Sequence, residues 1–154
     1  MAAGRRTVAV ERLPDLRRAR DHIDARFTDE LDLGGLARVA GVSKYHFARS
    51  FEAAYGETPI RYLTRRRIER AQDLLRSANL TITEICVFVG FSSLGSFSAR
   101  FSELVGESPS AYRRRWAVTG GPHIPGCYLF MWGLTPIEQS QRSIAGEAVG
   151  TVEP

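Results

Sequence analysis

The sequence predicts an all-α fold made of two similar halves. Apolar residues recur at helical spacing along most of the chain, glycines fall where these series stop, and one short motif occurs nearly twice. Residues 41–51 and 90–101 each begin with glycine, an apolar residue and serine, and each continues into a segment with two phenylalanines and one arginine. A glycine turn between two helical segments is typical of a helix-turn-helix, so the repeat predicts two such units.

The chain begins with a single predicted helix before the first copy of the motif. From Pro14 onward, an apolar stripe runs from Leu16 to Phe27, and polar residues such as Asp24 lie on the other faces. Proline suits the first turn of a helix, because its missing N–H would have no intrahelical partner there.

The first helix-turn-helix is predicted over residues 33–55. Asp32 is the expected N-cap of its first helix, and Gly41 is expected to end that helix in the left-handed conformation. Ser43 then caps the second helix, whose two phenylalanines are four residues apart and face the core. This second helix, and its counterpart in the other unit, are called the reading helices below.

A long linking helix is predicted over residues 59–77, starting from a threonine N-cap and a first-turn proline. Its apolar residues at helical spacing alternate with several arginines. The second helix-turn-helix follows over residues 82–105, preceded by a capping box of Thr81 and Glu84. Its reading helix is expected to bury two phenylalanines and Leu104, and a last helix is expected over residues 109–116.

The two copies of the motif differ in one respect. Their turn glycines, Gly41 and Gly90, are 49 positions apart, whereas their phenylalanines are 50 apart. One residue has therefore been added between turn and helix in the second copy. We expect the two reading helices to begin differently and not to contact the same bases.

The domain organisation follows from these elements. Residues 13–116 form the helical domain, residues 1–12 are expected to be a flexible N-terminus, and residues 117–154 form an extension. The extension contains an apolar segment, residues 124–132, that is expected to be covered. Packing onto the helical core, a dimer contact and a small-molecule lid all remain open for it.

Composition predicts a soluble protein and leaves open whether its positive charge serves an anionic partner. The net charge is +4, residues 117–154 contribute −2, and the remainder carries +6. Binding to a polyanion and a merely basic surface explain this charge equally well. Cys86 and Cys127 show no disulfide or metal spacing and are expected to be small buried residues. The chain has no apolar run of membrane-spanning length and no signal-like start, which predicts a cytoplasmic protein without membrane contact.

The spacing of the two units favours binding to double-stranded DNA. A helix-turn-helix places its second helix in the major groove, and on one face of B-DNA this groove recurs about every 34 Å. A 19-residue linking helix spans about 28 Å, so one chain is expected to present both reading helices to successive grooves of an asymmetric site without dimerising. The alternative is a helical adaptor that binds protein through residues 124–132. No catalytic constellation surrounds the three histidines, and neither an enzyme, a cofactor nor a metal is expected.

Residues 16–116 resemble the DNA-binding domain of the AraC/XylS family of bacterial transcription regulators. The resemblance rests on residues 36–51, on the Gly56, Pro59 and Tyr62 positions, and on a second set from Ile82 to Arg113. It implies a seven-helix domain that switches transcription, more often as an activator, with RNA polymerase as a partner. Many relatives carry an effector domain before this one; with about a dozen residues preceding the first helix, that domain is expected to be absent.

The resemblance also implies contacts to base edges from both reading helices. In the first helix the matching residues are Tyr45, Ala48 and Arg49, and Arg49 is the strongest candidate because arginine binds guanine O6 and N7 together. In the second helix they are Ser93, Leu94, Gly95, Ser96 and Ala99. Relatives commonly place arginine where Ala99 lies, but here Arg100 follows one position later. The second unit is therefore expected to contribute mainly backbone contacts and shape readout.

A further group of residues is expected to contact phosphate. Serines at helix N-termini and basic residues nearby supply this chemistry, although a solvated surface charge is an equal alternative for any single arginine. The candidates are Ser43, Lys44, His46, Ser92, Arg100, Arg38, Arg61, Arg65, Arg66, Arg113 and Arg114.

Overall fold

The structure is a computed structural model that describes residues 12–118. Within that range the chain forms seven helices, which confirms the all-α prediction. Their bounds are α1 Leu13–Arg26, α2 Leu33–Ala40, α3 Lys44–Tyr55, α4 Pro59–Ser77, α5 Ile82–Phe88, α6 Leu94–Val105 and α7 Pro109–Ala117. The predictions for residues 1–11 and 119–154, including the apolar segment 124–132 and Cys127, lie outside the described residues.

The chain divides into two compact units, with the boundary inside α4 after Arg67. Unit 1 comprises α1, α2, α3 and the first half of α4, and unit 2 comprises the rest. Each unit has a hydrophobic core of its own. A helix-turn-helix with one supporting helix on each side is thus the repeated structural unit.

The core of unit 1 is formed by the stripes predicted from the sequence. The fully buried side chains are Leu16, Ala19, Ile23, Leu36, Ala37, Ala40, Phe47, Phe51 and Leu63. Burial stabilises a fold by about 25 cal/mol per Å² of apolar surface. Phe47 and Phe51 are the largest buried side chains of α3, so each stabilises the core more than any other residue of that helix. Phe47 and Phe51 meet edge to face with 5.6 Å between ring centroids, the arrangement that aromatic pairs prefer.

Asp24 lies off the apolar stripe of α1, but its carboxylate is paired rather than simply solvated. It is half-buried, its two carboxylate oxygens share the hydrogen bond donated by the Tyr62 hydroxyl at 2.9 and 3.0 Å, and it pairs with Arg66 Nε at 2.9 Å. Burial, the hydrogen bond to Asp24 and its charge together raise the pKa of Tyr62 to about 12. The sequence pattern could not reveal this pairing, because the partners of Asp24 lie some 40 residues away along the chain.

The core of unit 2 repeats the design with a different set of residues. Its buried members are Ile68, Ala71, Leu74, Leu75, Ala78, Leu80, Ile85, Cys86, Val89, Phe97, Phe101 and Tyr112. Burial raises the pKa of the Cys86 thiol, consistent with the inert packing role expected for it. Leu104 was expected in this core but is 43% exposed. It lies in the last turn of α6, where the helical period gives its direction but no neighbour covers it completely.

The expected helix caps are present. Asp32 accepts a hydrogen bond from Gly35 N at 2.6 Å, and Thr81 and Glu84 form a reciprocal capping box. Gly41 and Gly90 adopt φ values of 70° and 96°, in the left-handed region that favours glycine. The boundaries of α2 and α5, the helices that precede the two reading helices, are therefore set by short-range features that the sequence specifies directly.

Two glycine-to-alanine changes are expected to have opposite effects on stability. Gly41 has φ 70°, so Gly41→Ala should cost about 1–2 kcal/mol, the strain of a side chain in the left-handed region. Gly95 is the second residue of α6 and has no such φ, so Gly95→Ala should stabilise the fold by less than the value of about 1 kcal/mol that applies in a helix interior. A methyl group added at either position meets no atom within 4 Å, so packing does not confuse the comparison. Urea unfolding of both variants measures the difference, and effects of equal sign would contradict this account.

Candidate nucleic-acid interface

The turn of the first helix-turn-helix is closed by two backbone hydrogen bonds. Gly41 N donates to Arg38 O at 3.0 Å and Val42 N donates to Ala37 O at 3.1 Å, the pattern of a Schellman motif. Ser43 then accepts a hydrogen bond from His46 N at 3.3 Å through its side chain and starts α3. The turn therefore occupies two residues between the last helical residue of α2 and the N-cap of α3.

The second turn is built in the same way and then extended. Gly90 N donates to Val87 O at 3.1 Å and Phe91 N donates to Cys86 O at 3.0 Å. The N-cap is Ser93, whose side chain accepts a hydrogen bond from Ser96 N at 3.2 Å. Ser92 is therefore the added residue. Positions correspond at an offset of 49 up to the turn and at an offset of 50 from the N-cap onward.

The offset of 50 continues beyond the reading helices. The ring centroids of Phe51 and Tyr62 are 5.7 Å apart, and those of Phe101 and Tyr112 are 5.5 Å apart. Both pairs meet edge to face. Each reading helix is thus anchored to the following helix by the same aromatic contact, so equivalent residues of α3 and α6 can be compared one by one.

An ion pair is repeated at the same offset. Arg65 donates to Glu57 at 2.7 Å and its guanidinium lies 5.0 Å from the Tyr62 ring centroid. Arg115 donates to Glu107 and lies 5.2 Å from the Tyr112 ring centroid. Arg65 was a phosphate candidate, and the structure gives its guanidinium an intramolecular role that links the turn after the reading helix to the next helix.

The exposed side of α3 presents most of the first predicted base-reading set. Tyr45 is 70% exposed, Arg49 is exposed and Ala48 is half-buried between them and the core. Arg49 Nη1 donates a hydrogen bond to the Tyr45 hydroxyl, and its guanidinium carbon lies 5.3 Å from the centre of the tyrosine ring. The two side chains restrict each other, so the guanidinium is held on the exposed face with part of its ordering cost already met.

The exposed side of α6 has a different character. Leu94, Gly95, Ser96 and Ala99 are exposed, and Ser93 is the N-cap, the position that Ser43 holds in the first unit. Ser98 corresponds to Ala48 and was not in the predicted set. The phenylalanines of the two helices are 50 positions apart, and the same offset from Ala48 leads to Ser98, so the sequence could have indicated this residue.

The displaced arginine of α6 corresponds to a buried position of α3. Arg100 corresponds to Ser50, which is buried, whereas Arg100 is exposed and pairs with Glu103. Ala99 therefore takes the place of Arg49, and the second reading helix has no arginine at that position.

The remaining phosphate candidates fall into two groups. Arg38, Arg61 and Arg114 have exposed side chains, as have Lys44 and the serines at positions 43 and 92. Arg66 pairs with Asp24, while Arg113 is half-buried and donates to Leu80 O. Burial lowers the pKa of Arg113, and its bond to a backbone carbonyl ties it to the loop before α5. The first group is accessible to a ligand, whereas each guanidinium of the second group has an intramolecular partner. The assignment of both groups to phosphate stays a prediction.

His46 is half-buried in the first turn of α3. Its Nε2 atom is buried and has no hydrogen-bond partner among residues 12–118, while its backbone N–H is bound by the Ser43 cap. The buried Nε2 faces away from solvent, so the imidazole is better placed for packing than for phosphate binding. Its assignment to phosphate stays a prediction.

Charge is concentrated in unit 1. Its described residues, 12–67, contain twelve lysines and arginines and eight carboxylates, against six and five in residues 68–118. The only lysine of the chain, Lys44, is the first residue of α3. The unit with the arginine in its reading helix is therefore also the more strongly basic unit.

Comparison with known proteins assigns this arrangement to a family. A family model described as a helix-turn-helix domain matches residues 36–115, which include both turns and both reading helices. The chain belongs to the AraC-type family of helix-turn-helix transcription regulators. It is 38% identical over 96 residues to the MmsAB operon regulatory protein of Pseudomonas aeruginosa, a match over 62% of this chain and 30% of that protein.

Two other AraC-type relatives are informative. The HTH-type transcriptional activator AarP of Providencia stuartii is 36% identical over 91 residues, covering 59% of this chain and 67% of AarP. The DNA-binding domain of AdpA, solved in complex with a target DNA, superposes with a TM-score of 0.66 at 27% identity, covering 68% of this chain and 95% of that domain. The chain is thus an AraC-type DNA-binding regulator, and the shared region is the helical domain itself.

Two further properties of residues 12–118 bear on the site. None of their helices combines the length and apolar character needed to cross a membrane. No three or more His, Cys, Asp or Glu side chains in this range are grouped so as to hold a metal ion.

Proposed function

We propose that this AraC-type domain binds a specific, asymmetric double-stranded site, with α3 and α6 each entering a major groove. The exposed pair Tyr45–Arg49 is the observation that carries the proposal. Recognition helices contact base edges with residues of their N-terminal part, and arginine is the commonest specific reader of guanine. In α3 such an arginine is exposed, partly ordered by Tyr45, and lies six positions after the Ser43 cap.

The two units have unequal roles in this proposal. Unit 1 supplies the direct readout, because it carries Arg49 and the larger excess of positive charge. Unit 2 has Ala99 at the equivalent position and nearly balanced charge, so it contributes less hydrogen-bonded readout and relies more on backbone contact and DNA shape. The bound sequence should accordingly be asymmetric, with a strongly specified half and a weakly specified half.

The regulatory role proposed is activation of transcription through contact with RNA polymerase. One relative, AarP, is named as a transcriptional activator, and this supports the sign of the effect. The protein acts as a monomer on DNA, because one chain supplies both reading helices, and residues 124–132 provide a dimer contact if one forms. The proposed site of action is the cytoplasm, where a bacterial chromosome is accessible, and the role is binding without catalysis or cofactor.

In vitro selection from random duplexes, followed by footprinting, tests the proposal. We expect enrichment of one asymmetric sequence and protection over about two helical turns. A palindrome read by two chains would contradict the monomeric mode. Failure to enrich any sequence would leave only non-specific binding and would refute the proposed specificity.

Salt dependence tests the phosphate contacts separately. Five of the phosphate candidates are exposed basic residues, namely Arg38, Lys44, Arg61, Arg100 and Arg114. Five phosphate contacts predict a slope of log affinity against log salt of about −4 to −5. Arg61→Ala should make that slope shallower by about 0.9, because one phosphate contact is lost. It should also weaken binding to all sequences equally. Arg18→Ala, an exposed arginine of α1 outside the candidate set, is the control and should leave the slope unchanged. Affinity that is independent of salt would favour a protein-binding adaptor instead.

A further inference from the structure

The second reading helix has an exposed surface whose three residues lack hydrogen-bonding side chains, beside the hydroxyls of the exposed Ser96 and the half-buried Ser98. The surface consists of Leu94, Gly95 and Ala99, here called the apolar reading face. Leu94 is 43% exposed although it is a large apolar side chain in the first turn of the helix. At the three equivalent positions, α3 carries Lys44, Tyr45 and Arg49.

The N-cap hydrogen bonds of α3 and α6 match, and they define which residues of the two helices are equivalent. The side chains of Ser43 and Ser93 each accept a hydrogen bond from the backbone three residues on, at 3.3 and 3.2 Å, so residues one, two and six positions after the cap lie on equivalent faces. The face that offers a charge, a phenol and a guanidinium in unit 1 thus offers an isobutyl group, a hydrogen and a methyl group in unit 2. Only one feature of a base edge suits such a surface. In the major groove, the 5-methyl group of thymine is the apolar feature that distinguishes one base from the others.

We propose that α6 selects thymine by its 5-methyl group, with Leu94 making the contact. This inference rests on the proposed function, since it requires α6 to lie in the major groove. Gly95 and Ala99 contribute by lacking side chains that would hold the helix away from the base edges. A methyl group added at Gly95 meets no protein atom within 4 Å, so the space beside Leu94 is open.

DNA is favoured over a protein partner for this surface. A protein-binding surface is expected to present large aromatic or apolar anchors together, whereas here Leu94 is accompanied by a glycine and an alanine. The same helix end carries a serine cap, and helix N-termini bind phosphate readily. The surface therefore suits close approach to a nucleic-acid backbone with one apolar contact to a base.

Replacing thymine with uracil tests the contact, because it removes only the methyl group. The probe is the synthetic duplex obtained by selection, with each thymine of either strand changed singly to uracil. We expect about a fourfold loss of affinity, the value for one methyl group in an apolar contact, at one or two positions in the half of the site not affected by Arg49. Indifference to uracil at every thymine in that half would overturn the inference, while salt-dependent, sequence-specific binding would still support the proposed function.

Protein variants assign the effect to Leu94. Leu94→Ala should abolish the uracil effect in the second half, whereas Arg49→Ala should leave it intact. Because Leu94 is partly exposed and alanine favours helix, the variant is expected to fold. Leu94→Lys introduces the residue found at the equivalent position of α3. It should also abolish the uracil effect, and it should make the salt dependence of log affinity steeper by about 0.9. A uracil effect that persists in Leu94→Ala would overturn the assignment, as would normal DNA binding by this variant combined with loss of binding to RNA polymerase.

Discussion

Arg49→Ala is expected to relax base preference at one position of the bound site by about 1–3 kcal/mol, which corresponds to roughly 5- to 150-fold. The reason is that arginine donates two hydrogen bonds to guanine O6 and N7 but not to the other bases, whereas alanine makes no such distinction between bases. The measurement is affinity for the selected duplex and for the three substitutions at each position. A uniform loss of affinity at unchanged preference would show that Arg49 contacts phosphate instead.

Tyr45→Phe is the matched control for this change. It removes the hydroxyl that accepts the hydrogen bond from Arg49 but keeps the ring beneath the guanidinium. If Tyr45 serves to order Arg49, the variant should keep the same preferred base and lose only a small factor in affinity. A change of the preferred base in Tyr45→Phe would instead show that the phenol itself reads the DNA.

Phe51→Ala and Phe101→Ala are each expected to destabilise the protein by about 3–5 kcal/mol, the usual cost of removing a fully buried aromatic ring. Both side chains have no exposed surface, and each contacts the next helix through a tyrosine. The two cores contain different residues, so hydrogen exchange should accelerate mainly in α3 for the first variant and mainly in α6 for the second. Equal acceleration in both helices would show that the two cores unfold together.

Leu104→Ala provides the control for Phe101→Ala. It also shortens an apolar side chain of α6, but Leu104 is 43% exposed. We therefore expect a loss of less than about 1 kcal/mol, because little of the transfer and cavity cost applies to a partly exposed site. Urea unfolding of the two variants under the same conditions compares them directly. A cost similar to that of Phe101→Ala would indicate that Leu104 is buried in solution.

The elements of this fold could be predicted from sequence because their determinants are local. Asp32, Ser43 and Thr81 cap helices through bonds to residues three positions later, and Gly41 ends α2 through its own backbone conformation. The helical period then identified the large buried residues of both cores. Each of these features is encoded within one or two helical turns, so no knowledge of the tertiary structure is needed.

The partners of the arginines could not be predicted in this way. Arg65, Arg66 and Arg113 have the same appearance in the sequence as Arg61 and Arg114, yet the first three bind Glu57, Asp24 and the carbonyl of Leu80. Two of these partners lie more than 30 residues away along the chain. A charged residue at an outward helical position therefore does not reveal whether its charge is available to a ligand.

The sequence by itself determined that this protein is helical and that it contains two helix-turn-helix units. It also determined that the second unit has one additional residue between its turn and its reading helix. It did so because caps, glycine turns and helical periodicity act over short distances. Only the tertiary structure decided that Ser93 caps α6 and Ser92 is the added residue, that Leu94 is exposed, and that Asp24 is paired while Leu104 is not fully covered. These features depend on which segments meet in space, and neither periodicity nor spacing specifies that.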